Sequence, residues 1–134
     1  MAALTITAAN VLKSATASIV NGTAGATITA GQLVYYDGST TSYKLADSDI
    51  VAASVPAGIA LHGSLSGQPL QVLTGGPITL GATLTPGVAY YANPTAGGIG
   101  PVADVVTTNR SVMIGFATSA SILNVNIQDS GVVL

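Results

Sequence analysis

Few side chains in this sequence could do chemistry. His62 is the only histidine, and imidazole is the one side chain whose ordinary pKa lies near neutrality. With Ser64 or Ser66 as nucleophile and an aspartate to orient the ring, His62 could support acyl transfer. The run Gly63-Ser64-Leu65-Ser66-Gly67 does not, however, put a serine at the centre of a G-x-S-x-G elbow. His62 instead follows Leu61 at the end of an apolar stretch and precedes a glycine, the place of a loop-capping residue. No catalytic residue is expected, and the chain is read as a non-enzyme.

Asp47-Ser48-Asp49, with Asp37 nearby in sequence, could offer oxygen ligands to Ca²⁺, which takes six to eight of them. The EF-hand spacing is absent, and later in the chain only Asp104 recurs in a matching place. A solvated loop or a helix cap is the expected role, and neither a metal nor a cofactor is expected. Tyr35-Tyr36 and Tyr90-Tyr91 could stack on sugar rings. Neighbouring strand residues point to opposite faces, so each pair sends one ring outward and one into the core. With one Phe and no Trp in the chain, the inward rings serve as core filler. Asn21-Gly22-Thr23 and Asn109-Arg110-Ser111 fit the glycosylation pattern, which has little weight without a signal sequence. Gly97-Gly98-Ile99-Gly100 leads into Pro101 rather than a helix, and is a loop rather than a phosphate cradle.

The segments that must position these groups are said twice, about 56 residues apart. Gly25-Ala26-Thr27-Ile28-Thr29-Ala30-Gly31 leads to the first tyrosine pair, and Gly81-Ala82-Thr83-Leu84-Thr85-Pro86-Gly87 to the second. Leu45-Ala46-Asp47 and Val102-Ala103-Asp104 follow, then Gly58-Ile59-Ala60 and Gly115-Phe116-Ala117, then Leu70-Gln71-Val72-Leu73 and Leu123-Asn124-Val125-Asn126. The matched residues are glycines, small residues, aliphatics and tyrosines. Such repetition describes a scaffold.

Composition narrows the reading further. A chain of 134 residues is one domain and can bury about two-thirds of its unfolded surface. Charged residues make up 6% against a usual share of about 25%, with no Glu. A net charge of −2 with three cations excludes an electrostatic nucleic-acid binder, which needs clustered Lys and Arg. Gly and Pro interrupt the uncharged span from Ile50 to Ala103 too often for a membrane helix of about 20 apolar residues, so no membrane partner is expected. The first residues lack a basic n-region and a continuous apolar h-region, which predicts use without general secretion. With no Cys, stability must come from packing and hydrogen bonds. Charge depletion of this degree is typical of buried interface cores, and predicts that another protein covers part of the surface.

Frequent Val, Ile, Thr and Tyr, regular Gly and Pro, and no amphipathic helical window predict an all-β fold. Strands are expected near Thr5–Thr7, Ala17–Val20, Gln32–Tyr36, Tyr43–Ala46, Ala57–Leu61, Pro69–Thr74, Ile78–Leu80, Val88–Tyr91, Val112–Ala117 and Ile122–Ile127. Asp37-Gly38 marks a hairpin, Asn93-Pro94 through Gly97-Gly98 the matching loop, and 48–53 a possible helical turn. The expected architecture is a small β-barrel or β-sandwich of two internal repeats, about 25–76 and 81–131, forming a β domain over 25–134. Residues 1–24 precede it as an extended N-terminal arm or an added strand.

The phrases T-I-T-A-G-Q-L-V-Y-Y-D, K-L-A-D, A-G-I-A-L, G-Q-P-L-Q-V-L-T-G-G, T-P-G-V-A-Y-Y, T-A-G-G-I-G-P-V-A-D and I-G-F-A-T-S occur in this order over residues 25–131. In this the chain resembles the small capsid decoration, or cement, proteins of tailed bacteriophages. The resemblance implies a structural virion protein on the outer surface of the assembled capsid. It would bind major capsid protein and brace contacts between its subunits, commonly as a homotrimer at a symmetry axis, after synthesis in the host cytoplasm. Leu4, Ile6, Val11 and Leu12 are then the expected contacts to the shell or to a neighbouring copy, and deletion of residues 2–13 is expected to abolish binding while sparing the fold. A tail-fibre or tail-tip receptor module is the alternative, meeting host glycans through loops around Tyr36, Tyr91 and Gly97.

Overall fold

A computed structural model of the chain describes residues 4, 6–50, 53–101, 105, 107 and 109–133. Among them the β-branched and aromatic runs form strands, and the Gly, Pro and Asn clusters form the turns between. In chain order these are β1 Leu12–Lys13, β2 Ser18–Thr23, β3 Leu33–Asp37, β4 Ser42–Leu45, β5 Gly58–Ala60, β6 Pro69–Thr79, β7 Ala89–Ala92, β8 Ile99–Pro101, β9 Arg110–Ala117 and β10 Ile122–Val133. A 3₁₀ turn at Ala8–Asn10 is the helical element described.

All the strands join one antiparallel sheet, in the order β4-β3-β5-β6-β10-β9-β7-β8, with β1 and β2 added beside β6. The sheet curls into an open half-barrel, since the edge strands β4 and β8 do not pair with each other. The expected all-β class holds, but neither a closed barrel nor a two-sheet sandwich forms. β3 through β6 and β7 through β10 show one pairing order: first strand to second, first to third, third to fourth.

β6 is the spine of the sheet. Along one side run β1 and β2, from Leu12 opposite Thr79 to Thr23 opposite Pro69. Along the other run β5, with Ile59 opposite Leu73, and β10, with Ile122 opposite Thr79. Residues 12–23 thus lie on the sheet as added strands. Pro69–Thr74 and Ile78–Leu80, expected as two strands, are one, because Gly75-Gly76 bends the backbone without breaking its ladder. Gly76 has φ +98°, and a Cβ there would meet Ala17 Cα at 2.8 Å, so a glycine is required at this bend.

Other boundaries differ from expectation. Thr7 is not in a strand, and Thr5 lies outside the described residues. Ile99–Pro101 pairs with β7, where glycine content alone reads as loop. β10 continues past Ile127 to Val133 because β9 extends beside it.

The alternation of side chains explains the core. Leu33, Ile59 and Leu73 enter the main cluster with Ile78, Leu80, Tyr90, Ile114 and Leu123. Their chain neighbours Val34, Ala60 and Val72 point the other way into a second cluster with Ala24, Ile28 and Leu70, against which Tyr43 and Leu45 pack. The β3–β5–β6 half is therefore buried on both faces at these positions, which is why Leu33-Val34, Ile59-Ala60 and Val72-Leu73 read as adjacent apolar pairs. Each buried Leu or Ile stabilises by about 1.5–3 kcal/mol, and together they hold the fold without disulfides.

Candidate functional site

The histidine does not face a nucleophile. His62 Nε2 accepts from the Gln71 backbone N–H (3.1 Å), which places the proton on Nδ1, and Nδ1–H donates to Gly63 C=O (2.9 Å). Ser64 is buried and its hydroxyl donates to Pro69 C=O (2.8 Å). Imidazole and hydroxyl are each committed to backbone, so the arrangement ties the Leu61–Pro69 turn to β6.

The acidic residues fall into separate places. Asp37 accepts from Lys44 Nζ (2.9 Å) and from Ser39 N–H and Oγ–H (3.0 and 2.7 Å), closing the β3–β4 hairpin. The Lys44 ammonium, with help from Ser39, holds its carboxyl well below the usual carboxylate range. Asp47 is buried at 8% exposure, so of its two expected roles, solvated loop or cap, the first does not hold. Its carboxyl is pushed up to about 6 by burial and by the adjoining Asp49 carboxyl. Asp49 N–H donates to Asp47 Oδ1 (3.2 Å), so Asp47 caps its own turn. Among the described residues no group of three or more His, Cys, Asp or Glu side chains could hold a metal. Asp104 lies outside the described residues.

The tyrosines divide unequally. Tyr90 is buried, and its hydroxyl oxygen accepts from Thr85 N–H (3.0 Å). Tyr36 is exposed and meets Tyr43 edge to face, with centroids 5.2 Å apart. By register Val34 faces Gly58 and Tyr90 faces Gly115. The two tyrosine pairs are therefore offset by one residue relative to the strands, and Tyr35 corresponds to Tyr91.

Of the expected contact residues, three turn toward the chain's own core. Val11 is buried in the main cluster, and Leu4 and Ile6 pack against it. Leu4 N–H donates to Ile99 C=O on the β8 edge, and Thr7 N–H to Gly81 C=O (both 2.8 Å). Leu12 is 65% exposed, on the rim of an open groove of about 600 Å³ with Thr7, Asn10, Thr79 and Ser121.

Leu12 also begins a surface that sequence reasoning did not single out. Across β1, β6 and β10, Leu12, Thr79 and Ile122 stand in one row. In the next row, Pro77, Asn124, Phe116 and Ala89 cross from β6 to β7. Phe116 is 43% exposed. Beyond an irregularity in the ladder, Met113 points outward between the buried Val112 and Ile114. It lines a hollow of about 320 Å³ with Tyr91, Gln128 and Asp129. Asp129, paired with Arg110, is the charged side chain among these. By register, Leu33, Ile59 and Leu73 of β3, β5 and β6 correspond to Ala89, Phe116 and Asn124 of β7, β9 and β10. The matched phrases carried the first two exchanges but aligned Leu73 with Asn126, two residues from its counterpart in register. Leu33, Ile59 and Leu73 are covered by the protein itself; Ala89, Phe116 and Asn124 face outward.

The chain matches no known protein-family model and no curated protein. No helix among the described residues is long and apolar enough to cross a membrane.

Proposed function

We propose that this chain is a structural virion protein that binds the outer surface of an assembled tailed-phage capsid and stabilises contacts between major capsid protein subunits. The reading rests on the ordered turn-and-strand phrases of residues 25–131. One structural observation supports it: the uncharged outer rows around Leu12, Phe116 and Asn124 offer a broad sheet face with little desolvation cost on docking. A protein that binds only the assembled shell stabilises it by mass action, and many copies acting together multiply a weak contact. The common pairing order of β3–β6 and β7–β10 favours a duplicated half-sheet, and a homotrimer at a symmetry axis is the assembly this reading takes. Of the four expected contacts Leu12 is the exposed one, and this reading assigns it to the shell or to a neighbouring copy.

A second reading, a receptor module for host glycans, is favoured by the hollow that places Tyr91 beside Gln128 and Asp129. Co-sedimentation separates the two. Capture by assembled heads supports decoration, and capture by host cells or isolated glycans supports the receptor module.

A further inference from the structure

The hairpins that close the two halves of the sheet end in the same way. In the β5–β6 hairpin the last ladder pair, Ala60 opposite Val72, is followed by Leu61 N–H donating to Gln71 C=O (3.0 Å). In the β9–β10 hairpin the pair Ala117 opposite Leu123 is followed by Thr118 N–H donating to Ile122 C=O (3.0 Å). A regular antiparallel pair would return a second bond, from the N–H of Gln71 or Ile122 to the carbonyl opposite. The side chain of the next residue takes that N–H instead. His62 Nε2 accepts from Gln71 N–H and Ser119 Oγ accepts from Ile122 N–H, both at 3.1 Å.

These two closing bonds differ in one property. A serine hydroxyl keeps its lone pairs at every pH, whereas imidazole accepts only while neutral, and imidazoles take up a second proton between about pH 8 and 5. The partners fix the tautomer of His62: Gln71 N–H can only donate and Gly63 C=O can only accept, so Nε2 is bare and Nδ1 carries the proton. A second proton would stand on Nε2, directly against Gln71 N–H. His62 and Gln71 are both exposed, so water can receive the imidazolium and the freed N–H once the ring turns away. The loop carrying His62 packs against β2 and residues 24–31, and these, with β5 and β6, hold no Asp, Lys, Arg or Tyr. Beyond them β4 brings Tyr43, beside Gly22, and Lys44, which is bound to Asp37 (2.9 Å). The bond to Gln71 is thus what the ring's charge changes.

We propose that the β5–β6 hairpin is acid-sensitive and its counterpart is not: a second proton on His62 removes the bond that closes the first hairpin, while Ser119 keeps the β9–β10 hairpin closed. The rest of the first loop stays anchored. Ser64 and Ile28 exchange two backbone bonds of 2.9 Å, and Gly67 N–H donates to Ala24 C=O (2.8 Å). Opening is therefore confined to Leu61, His62 and Gln71, as local opening of a ladder end is. One half of a duplicated frame carries a proton-dependent clasp, and the other carries the same clasp without the proton.

Amide hydrogen exchange of the full chain, corrected for intrinsic rates and followed beside the ring signals of His62 by NMR, tests this from about pH 8 down to 5. Protection of Gln71 is expected to fall about three- to tenfold, the worth of one hydrogen bond, in step with the titration of the ring, while Ile122 keeps its protection. His62→Gln, whose amide oxygen accepts at every pH, should flatten the Gln71 profile, and His62→Ala should leave Gln71 poorly protected throughout. A flat Gln71 profile in the unaltered chain, an equal fall at Ile122, or a fall that persists in His62→Gln would overturn the proposal. If His62→Gln does not fold, the contrast between Gln71 and Ile122 in the unaltered chain decides.

Discussion

Gly58 and Gly115 hold the same relation to the strand they face. A Cβ on Gly58 would strike Leu73 C=O across the β5–β6 ladder, and one on Gly115 would strike Asn124 C=O across β9–β10. Each is buried, and each lies opposite a residue of the first strand in its half, Val34 or Tyr90. The backbones approach so closely at these two points that no side chain fits.

Gly58→Ala and Gly115→Ala are accordingly expected to destabilise the fold by about 2–4 kcal/mol each, through overpacking against backbone that cannot retreat. Gly38→Ala, in open space, should stay within about 0.5 kcal/mol. Urea denaturation of the three variants checks the contrast.

The corresponding positions Ile59 and Phe116 should separate structure from surface. Ile59 is fully buried, and Phe116 is 43% exposed. Ile59→Ala should cost about 2–5 kcal/mol through loss of burial and a residual cavity, and Phe116→Ala about 1 kcal/mol or less. Under the proposed function, Phe116→Asp should keep the fold by circular dichroism and weaken binding to heads.

Much of this was legible in the sequence. Gly58-Ile59-Ala60 and Gly115-Phe116-Ala117 marked two strands in matching places, and the alternating runs fixed the all-β class. The long β6 was not legible, because Gly75-Gly76-Pro77 carries turn chemistry that the flanking β2 and β10 override. Nor was the burial of Asp47: its chain neighbours Ala46 and Ser48 are bonded to the loop between β7 and β8 and to the start of β9, segments remote in sequence. The offset of the tyrosine pairs was hidden because a one-residue shift in register changes the face while leaving the residue types alike.

The pH dependence of stability follows from opposing carboxyls. Asp47, raised from 3.8 to about 6, binds its proton more tightly in the folded state. Its contribution is complete below pH 3.8 and is lost as pH rises to about 6, a span of about 2–3 kcal/mol. Asp37 and Asp129 are lowered, first by hydrogen bonds from Lys44 and Arg110 respectively. Their contributions are present above pH 3.8 and lost as pH falls below it. Stability should therefore peak near pH 4, and Asp47→Asn should remove the decline on the alkaline side of that peak in thermal melts.

The N-terminal segment gives a prediction that separates anchoring from contact. A Cβ on Gly31 would meet Ile6 Cγ2 at 2.5 Å, and Val11 is part of the main core. Deleting residues 2–13 should thus lower the melting temperature by several degrees or more, in contrast to the expectation that the fold would be spared. Leu12→Asp removes a side chain that is 65% exposed and should change stability by less than about 0.5 kcal/mol. Reduced binding to heads by this variant, with an unchanged melt, would mark Leu12 as a contact.

The central claim is decoration of an assembled shell. Its most direct test is a pelleting titration of the purified chain against expanded heads of the tailed phage that the proposed function takes as its source, with occupancy per major capsid protein subunit read from gel densities. Saturation at a fixed integer ratio is the predicted result. Absence of binding to heads, with the protein recovered on tails or on host cells, would contradict the account.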